Sequence, residues 1–290
     1  MPPSEMPTVR PTGHLSWRHP GFDEAWQRVI WAWPGWYAWP ALWLLVLIVT
    51  PVGLWTHGDA VFPLLATLGV VAHAFATLTA VAGSWPVVQL AASGGLIAAG
   101  AWAVEALGIA TGLPFGEYHY TALLQPQLGG VPVIIPLAWF MMLLPAWAIA
   151  DAILGRAGRS HLPRCVAHLA HAGVTGLAFT AWDLYLDPQM VARNLWVWER
   201  PGGYFGVPLT NFAGWWLAAT LIILLVGRLH PAPLAPAARV RLMIVYTLTW
   251  AFQAVGLGLF WGQPGPALVG LFGMGTFVVI GWLRELRLWT

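Results

Sequence analysis

Five of the eleven acidic residues, Glu105, Glu117, Asp183, Asp187 and Glu199, fall at or near one end of the apolar segments around them. Glu105 and Asp183 lie inside such segments, each about a turn from its end. An ionisable group within a membrane span costs about 2.5–3.5 kcal/mol on insertion scales and marks function by default. No arginine is near either of them in sequence, whereas Asp187 and Glu199 stand beside Arg193 and Arg200, where ordinary ion pairing is at least as good an account. A carboxyl group in apolar surroundings keeps its proton, because desolvation disfavours the anion, and such a group can donate that proton. Aromatic faces close by would stabilise a developing cation. These parts suit protonation of a trisubstituted double bond to a tertiary carbocation. Water would quench that cation to a tertiary alcohol, and a neighbouring double bond would quench it to a ring.

Other chemistries find less support. His171, Thr175, Phe179, Asp183 and Asp187 recur every four residues and share a helical face, with His168 one turn from His171. His73 is the only further histidine inside a span, too few ligands for a di-metal site, so no metal is expected. Asp151, beside Arg156, reads as a structural pair. No GxSxG elbow, P-loop or DDxxD pair occurs. Gly256, Gly258, Gly270, Gly273 and Gly275 are spaced for close helix packing. The single cysteine, Cys165, excludes an internal disulfide.

The elements that must hold these residues are membrane helices. Of the 290 residues 59% are hydrophobic and 8% charged, far below the roughly 25% charged of a soluble domain. The net charge of +2 does not suggest nucleic acid as a partner. Spans need about 20 apolar residues. They are expected at 38–56, 61–81, 87–108, 132–152, 165–186 and 212–229, with two more in 242–283 separated by Gly262-Gln263-Pro264-Gly265-Pro266. The fold class is thus all-α, a polytopic bundle of about eight spans forming one domain (38–290) behind a polar N-terminal tail and amphipathic approach (1–37). With a cytoplasmic N-terminus, Arg10, Arg18, Arg28, Arg156, Arg159, Arg164, Arg228, Arg239, Arg241, Arg284 and Arg287 lie inside, and Arg193 and Arg200 outside. That bias satisfies the positive-inside rule.

The two long outer loops, 109–131 and 187–211, are rich in aromatics, glycine and proline. Their aromatics also suit an interfacial belt, which explains the acids and glycines among them less well. The loops share an echo: Gly130-Val131-Pro132 precedes Trp139-Phe140 by the same spacing as Gly206-Val207-Pro208 precedes Trp215-Trp216. In each, proline sits where a helix would begin.

The stretch TGLPFGEYHYTALLQPQLGGVPVIIPLAW (111–139) resembles the signature region of CruF-type carotenoid biosynthesis membrane proteins. So do AWDLYLDPQM (181–190) and the W-x-W, GxYFGVPLxN and GW elements that follow. The resemblance implies a carotenoid 1′,2′-hydratase of the cytoplasmic (inner) membrane that adds water to the acyclic ψ-end of lycopene- or γ-carotene-type substrates. It implies no cofactor, because hydration has no net redox change, and as partners it implies the carotenoid, membrane lipid and other enzymes of the carotenoid pathway. The motif positions carried over are Glu117, Tyr118, Asp183, Asp187, Trp196, Trp198, Tyr204 and Asn211. Within that frame Asp183 is expected to be the general acid, with Asp187 also among the catalytic carboxyls and Glu105 or Glu117 handling the water. Tyr118, Tyr120, Trp182, Trp196, Trp198 and Tyr204 are expected to line the cation pocket, and Asn211 to orient water or acid. The rivals are a carotenoid cyclase, a proton-coupled transporter and a structural subunit of a pigment complex.

Overall fold

The computed structural model describes residues 36–155, 161–229 and 234–287. The N-terminal tail with Arg10, Arg18 and Arg28, and the loop arginines Arg156 and Arg159, lie outside the described residues. The described residues form eight long helices: α1 Ala38–His57, α2 Phe62–Val81, α3 Val87–Thr111, α4 Ile134–Leu154, α5 Arg164–Ala192, α6 Leu209–Leu229, α7 Pro236–Val255 and α8 Pro264–Arg287. Four short strands lie in the two long loops: β1 Tyr118–Tyr120, β2 Gln127–Leu128, β3 Val131–Pro132 and β4 Trp196–Trp198. The helices begin and end where the sequence breaks: Pro86 caps the start of α3, and Gly112 closes its end in the left-handed conformation at φ 75°.

Seven of these helices are long and apolar enough to cross a membrane. The helix not counted among them is α5, which is long enough but carries buried His171, Thr175, Asp183, Asp187 and Gln189. It also runs past the expected end at 186, so Asp187 is a helical residue where a loop position was expected. Asp183 and Asp187 are thereby held one turn apart on the same face.

The bundle is organised around α4. Every residue from Ala138 to Ala152 is buried, and α4 packs against α2, α3, α5, α7 and α8. The helix is apolar on all sides because all its sides meet protein. At the periphery, α1 leans on α2, and α3 and α5 both pack on α6. Glycines permit these approaches: Gly270 faces the Tyr185 ring, Gly273 faces Leu184 and Gly275 faces the Trp250 indole.

Prolines lie inside three helices, Pro51 in α1, Pro145 in α4 and Pro188 in α5; each leaves a carbonyl without its intrahelical donor, and two of these carbonyls have been given a new one. Pro145 frees the Met141 carbonyl, which accepts from Thr77 Oγ1 of α2 at 2.8 Å. Pro188 frees the Leu184 carbonyl, which accepts from the Tyr204 hydroxyl at 2.8 Å. Both bonds replace a local helical contact with a long-range one.

The α5–α6 crossing tests this packing. A Cβ at Gly176 would stand 2.5 Å from Thr220 Oγ1 and 2.9 Å from the Trp216 carbonyl oxygen, whereas one at Gly173 would meet nothing within 4 Å. Gly176→Ala is expected to lower the thermal midpoint of the detergent-solubilised protein, at the about 1–3 kcal/mol typical of overpacking. Gly173→Ala should leave it unchanged or raise it, since alanine is the better helix former.

Candidate active site

The two long loops are sewn together. β1 pairs antiparallel with β4 in the register Tyr118↔Trp198, His119↔Val197 and Tyr120↔Trp196. Flanking bonds from Thr121 N to the Leu195 carbonyl (3.0 Å) and from Glu199 N to the Glu117 carbonyl (2.9 Å) extend the ribbon. Strand alternation sends Tyr118, Tyr120, Trp196 and Trp198 to one side. Their rings pack together, with centroids 5.7 Å apart for Tyr118–Trp198 and 5.6 Å apart for Tyr120–Trp196. His119 lies on the exposed side and pairs there with Glu199 at 2.9 Å. The ribbon is a lid over the end of the bundle that carries the acids.

Beneath it three carboxyls are buried: Glu105 at 2% exposure, Asp183 at 0% and Asp187 at 2%. Each is met by a donor. Glu105 Oε2 accepts from the hydroxyls of both Tyr118 and Tyr120, the latter at 2.9 Å. Asp187 Oδ1 accepts from Trp196 Nε1 at 3.1 Å. The Asn211 amide, two residues into α6, donates to Asp183 Oδ2 at 2.8 Å and to Asp187 Oδ2. Glu105, Asp187 and Asn211 face one another across a cavity of about 20 Å³, room for a single water.

A second cavity of about 260 Å³ lies between α1, α2, α4, α5 and α7 and is overwhelmingly apolar. Ile135, Ala138, Leu186 and Trp196 line both cavities and form the partition between them. Ile48 also lines the large cavity and is 57% exposed on the flank of the bundle. The large cavity therefore reaches the surface that an apolar membrane would cover.

Of the expected site residues, the structure brings Glu105, Asp187, Tyr118, Tyr120, Trp196, Trp198 and Asn211 to the small cavity. Asp183 stands behind Asp187 on the shared amide, and Trp182 lines the large cavity. Glu117 is elsewhere: its carboxylate is 60% exposed on the outer side of the lid, 3.7 Å from Arg200. Tyr204 lines neither cavity and spends its hydroxyl on the Leu184 carbonyl. The arginine pairings considered for Asp187 and Glu199 do not form, because Arg193 reaches towards Asp59 and Arg200 towards Glu117. Asp151 pairs with His171 at 3.2 Å, far from the lid along α5, and Trp147 packs on that imidazole. Residues not anticipated from the sequence are Trp139, Trp215, Phe115 and the partition residues Ile135, Ala138 and Leu186. The repeated Gly-Val-Pro element was the available signal for two of them. Pro208 directly precedes α6, whereas Pro132 closes β3 and α4 begins two residues later at Ile134, and the two helices bring Trp139 and Trp215 into contact, centroids 5.0 Å apart.

Fold and site together define a class: a polytopic helical membrane protein with carboxyls buried beneath an aromatic lid and beside an apolar cavity. Residues 60–277 match the family described as carotenoid biosynthesis protein, and the chain belongs to that family. Over 151 residues it is 35% identical to bisanhydrobacterioruberin hydratase of Haloarcula japonica, an alignment covering 51% of this chain and 49% of that protein. The chain thus matches about half the length of this curated relative. No solved structure matches. The resemblance carried by residues 111–139 and 181–190 is borne out at the level of the family.

The lid tyrosines are shaped electrically by what they cover. Burial, and then the nearby charge of Glu105, push the Tyr118 and Tyr120 hydroxyls well above the ordinary tyrosine range. They stay neutral donors to Glu105 at any physiological pH. An acid whose folded pKa is raised stabilises the fold fully below its unfolded value, near 10, and that contribution drains away as pH rises beyond it. Alkaline unfolding is therefore expected to set in above about pH 10. The Tyr118→Phe/Tyr120→Phe protein, though less stable at neutral pH, should show a shallower loss of thermal midpoint across that range.

Proposed function

We propose that this protein is a carotenoid 1,2-hydratase, adding water across the terminal double bond of an acyclic ψ-end group. The observation that carries this reading is the water-sized space between Glu105 and Asp187, set against an apolar cavity that reaches the lipid-facing flank. The hydratase named among its relatives supports it.

The end group enters sideways from lipid into the large cavity and brings its terminal double bond to the partition at Ile135, Ala138, Leu186 and Trp196. Asp183 and Asp187 share one amide donor, Asn211. Two carboxylates so placed repel each other, so the pair retains one proton between them. Asp187, the member that faces the cavity, gives this proton to C2. The π bond breaks as the C–H bond forms, leaving a tertiary cation at C1. The ring faces of Trp196, Trp139 and Trp215 lower the energy of that cation. The water held beside Glu105 forms the C–O bond and passes a proton to the Glu105 carboxylate. Proton exchange from Glu105 back to the aspartate pair restores the starting state. The sum is one alkene and one water giving one tertiary alcohol, with no electrons to supply and no cofactor needed.

A cyclase would use the same cation but would need room beside the acids for a folded end group. The small cavity has room for water, which favours hydration. The bias in the distribution of arginine supports a cytoplasmic-membrane location with the lid on the outer side.

In a lycopene-producing host, Asp187→Asn and Asp183→Asn should each reduce hydrated pigment by about 10²–10⁴-fold, the usual contribution of a general acid. Glu105→Gln should fall comparably, and Glu117→Gln, on the outer side of the lid, should remain within about twofold of wild type. Pigment mass normalised to membrane-inserted protein measures all four. Wild-type hydration by Asp187→Asn would remove the aspartate pair from the mechanism.

A further inference from the structure

A third cavity, of about 360 Å³, opens at the lid end of the bundle between the α1–α2 turn, the end of α5 and the α7–α8 turn. Its lining includes Asp59, Arg193, Trp261 and Gln263, and it shares Pro51, Phe260 and Trp261 with the large apolar cavity. The wall between the two is built on a π-helical turn, Gly256–Phe260, at the end of α7. Such turns are found frequently at functional sites. A Cβ at Gly256 would fall 2.6 Å from the Trp261 ring, so the indole is seated directly on this turn.

Three buried polar atoms of residues around this vestibule make no hydrogen bond. Arg193 lies over the faces of Phe62 (4.3 Å) and Trp261 (5.6 Å). Its nearest carboxylate, Asp59 Oδ1, is 3.9 Å from Nε, beyond hydrogen-bond reach. Among the described residues Arg193 Nε, Trp261 Nε1 and Gln263 Oε1 make no hydrogen bond. The residues that carry these two donors and one acceptor, Arg193, Trp261 and Gln263, all line this one cavity, beside the apolar one. That set matches a hydroxyl group, which both accepts and donates. An anion such as a phosphate is a poorer fit, because Asp59 already offsets the charge of Arg193.

We propose that this vestibule is a hydroxyl-binding subsite, which holds the neutral alcohol end of a membrane-borne ligand whose apolar chain occupies the adjoining cavity. The proposal rests on the reading of that cavity as a carotenoid site, and it names the ligand class as a hydroxylated acyclic carotenoid. A lipid with a sugar headgroup is the other source of the same chemistry. The subsite gives the tertiary alcohol a polar station separate from the acids that form it, so the product can leave the Asp187 side without its hydroxyl stranded in apolar surroundings.

The test is binding, read by induced circular dichroism of the polyene, with the full-length protein in phosphatidylcholine nanodiscs. The Asp187→Asn background prevents turnover. The ligands are an acyclic carotenoid bearing one tertiary alcohol end and its parent hydrocarbon. The alcohol is expected to bind about fivefold or more tightly than the hydrocarbon, as one or two hydrogen bonds would give. Gln263→Leu and Arg193→Met should each shrink that ratio towards one, with hydrocarbon affinity unchanged. That unchanged affinity also shows that the variants are folded. A second arm adds a glycosyl diacylglycerol and follows its retention by native mass spectrometry; loss in Gln263→Leu and Arg193→Met, with no carotenoid preference, assigns the hydroxyl to lipid. A ratio that survives both variants, or no preference together with no retained glycolipid, overturns the subsite while leaving the hydratase reading intact. Failure of both carotenoids to bind overturns the carotenoid reading and this proposal with it.

Discussion

A carboxyl group moved from water into an apolar bundle loses several kcal/mol of solvation unless it keeps its proton or is given hydrogen-bond donors. Three such groups, Glu105, Asp183 and Asp187, are buried within one end of this protein, and much of the architecture around them follows. Their donors are two phenols from β1, an indole from β4 and one amide from the start of α6. Apart from the contact between Asp183 and Asp187 themselves, none comes from the helices that carry the acids. The lid is therefore the second half of the acid site, and β1–β4 pairing is what brings its tyrosines and tryptophans to the same depth.

The same constraint bears on α5, which alone among the eight long helices falls short of the apolarity of a membrane span. One of its faces carries Asp183 and Asp187 towards α6 and the lid, and another presents Trp182, Leu186 and Met190 to the large cavity. One helix thus separates the small cavity of the buried acids from the large apolar one, with Leu186 in the partition itself. Pro188 would weaken it at the critical turn, but the Tyr204 hydroxyl satisfies the freed Leu184 carbonyl and ties the second loop to the helix. Tyr204 is thus accounted for by backbone chemistry, and it lines neither cavity.

Much of this was legible in the chain because membrane helices are written in length and charge. The long uncharged runs and the glycine–proline breaks at 83–86 and 262–266 locate α1 to α4, α6 and α8 to within a few residues, whereas α7 starts six residues before its uncharged run and carries Arg239 and Arg241. The cost of an intramembrane acid singled out Glu105 and Asp183 without any partner being known. The sequence offers Asp187 as a loop residue beside Arg193, since proximity in sequence says nothing of which way a helix turns it. Glu117 misled for the converse reason: it sits in the densest motif, yet strand alternation sends its neighbour Tyr118 inward and leaves Glu117 with Arg200 at the surface. The partition residues Ile135, Ala138 and Leu186 carry no chemical signal at all. Only the packing of α4 against α5 gives them a role.

The most direct measurement is to incubate the purified, lipid-reconstituted protein with an acyclic carotenoid in water labelled with heavy oxygen and to analyse the pigment by mass and absorbance. Hydration through a tertiary cation requires one heavy oxygen per hydrated end, on the terminal tertiary carbon, with the chromophore unchanged in length. A product of unchanged mass with a shortened chromophore, or a product whose oxygen does not come from water, would contradict it.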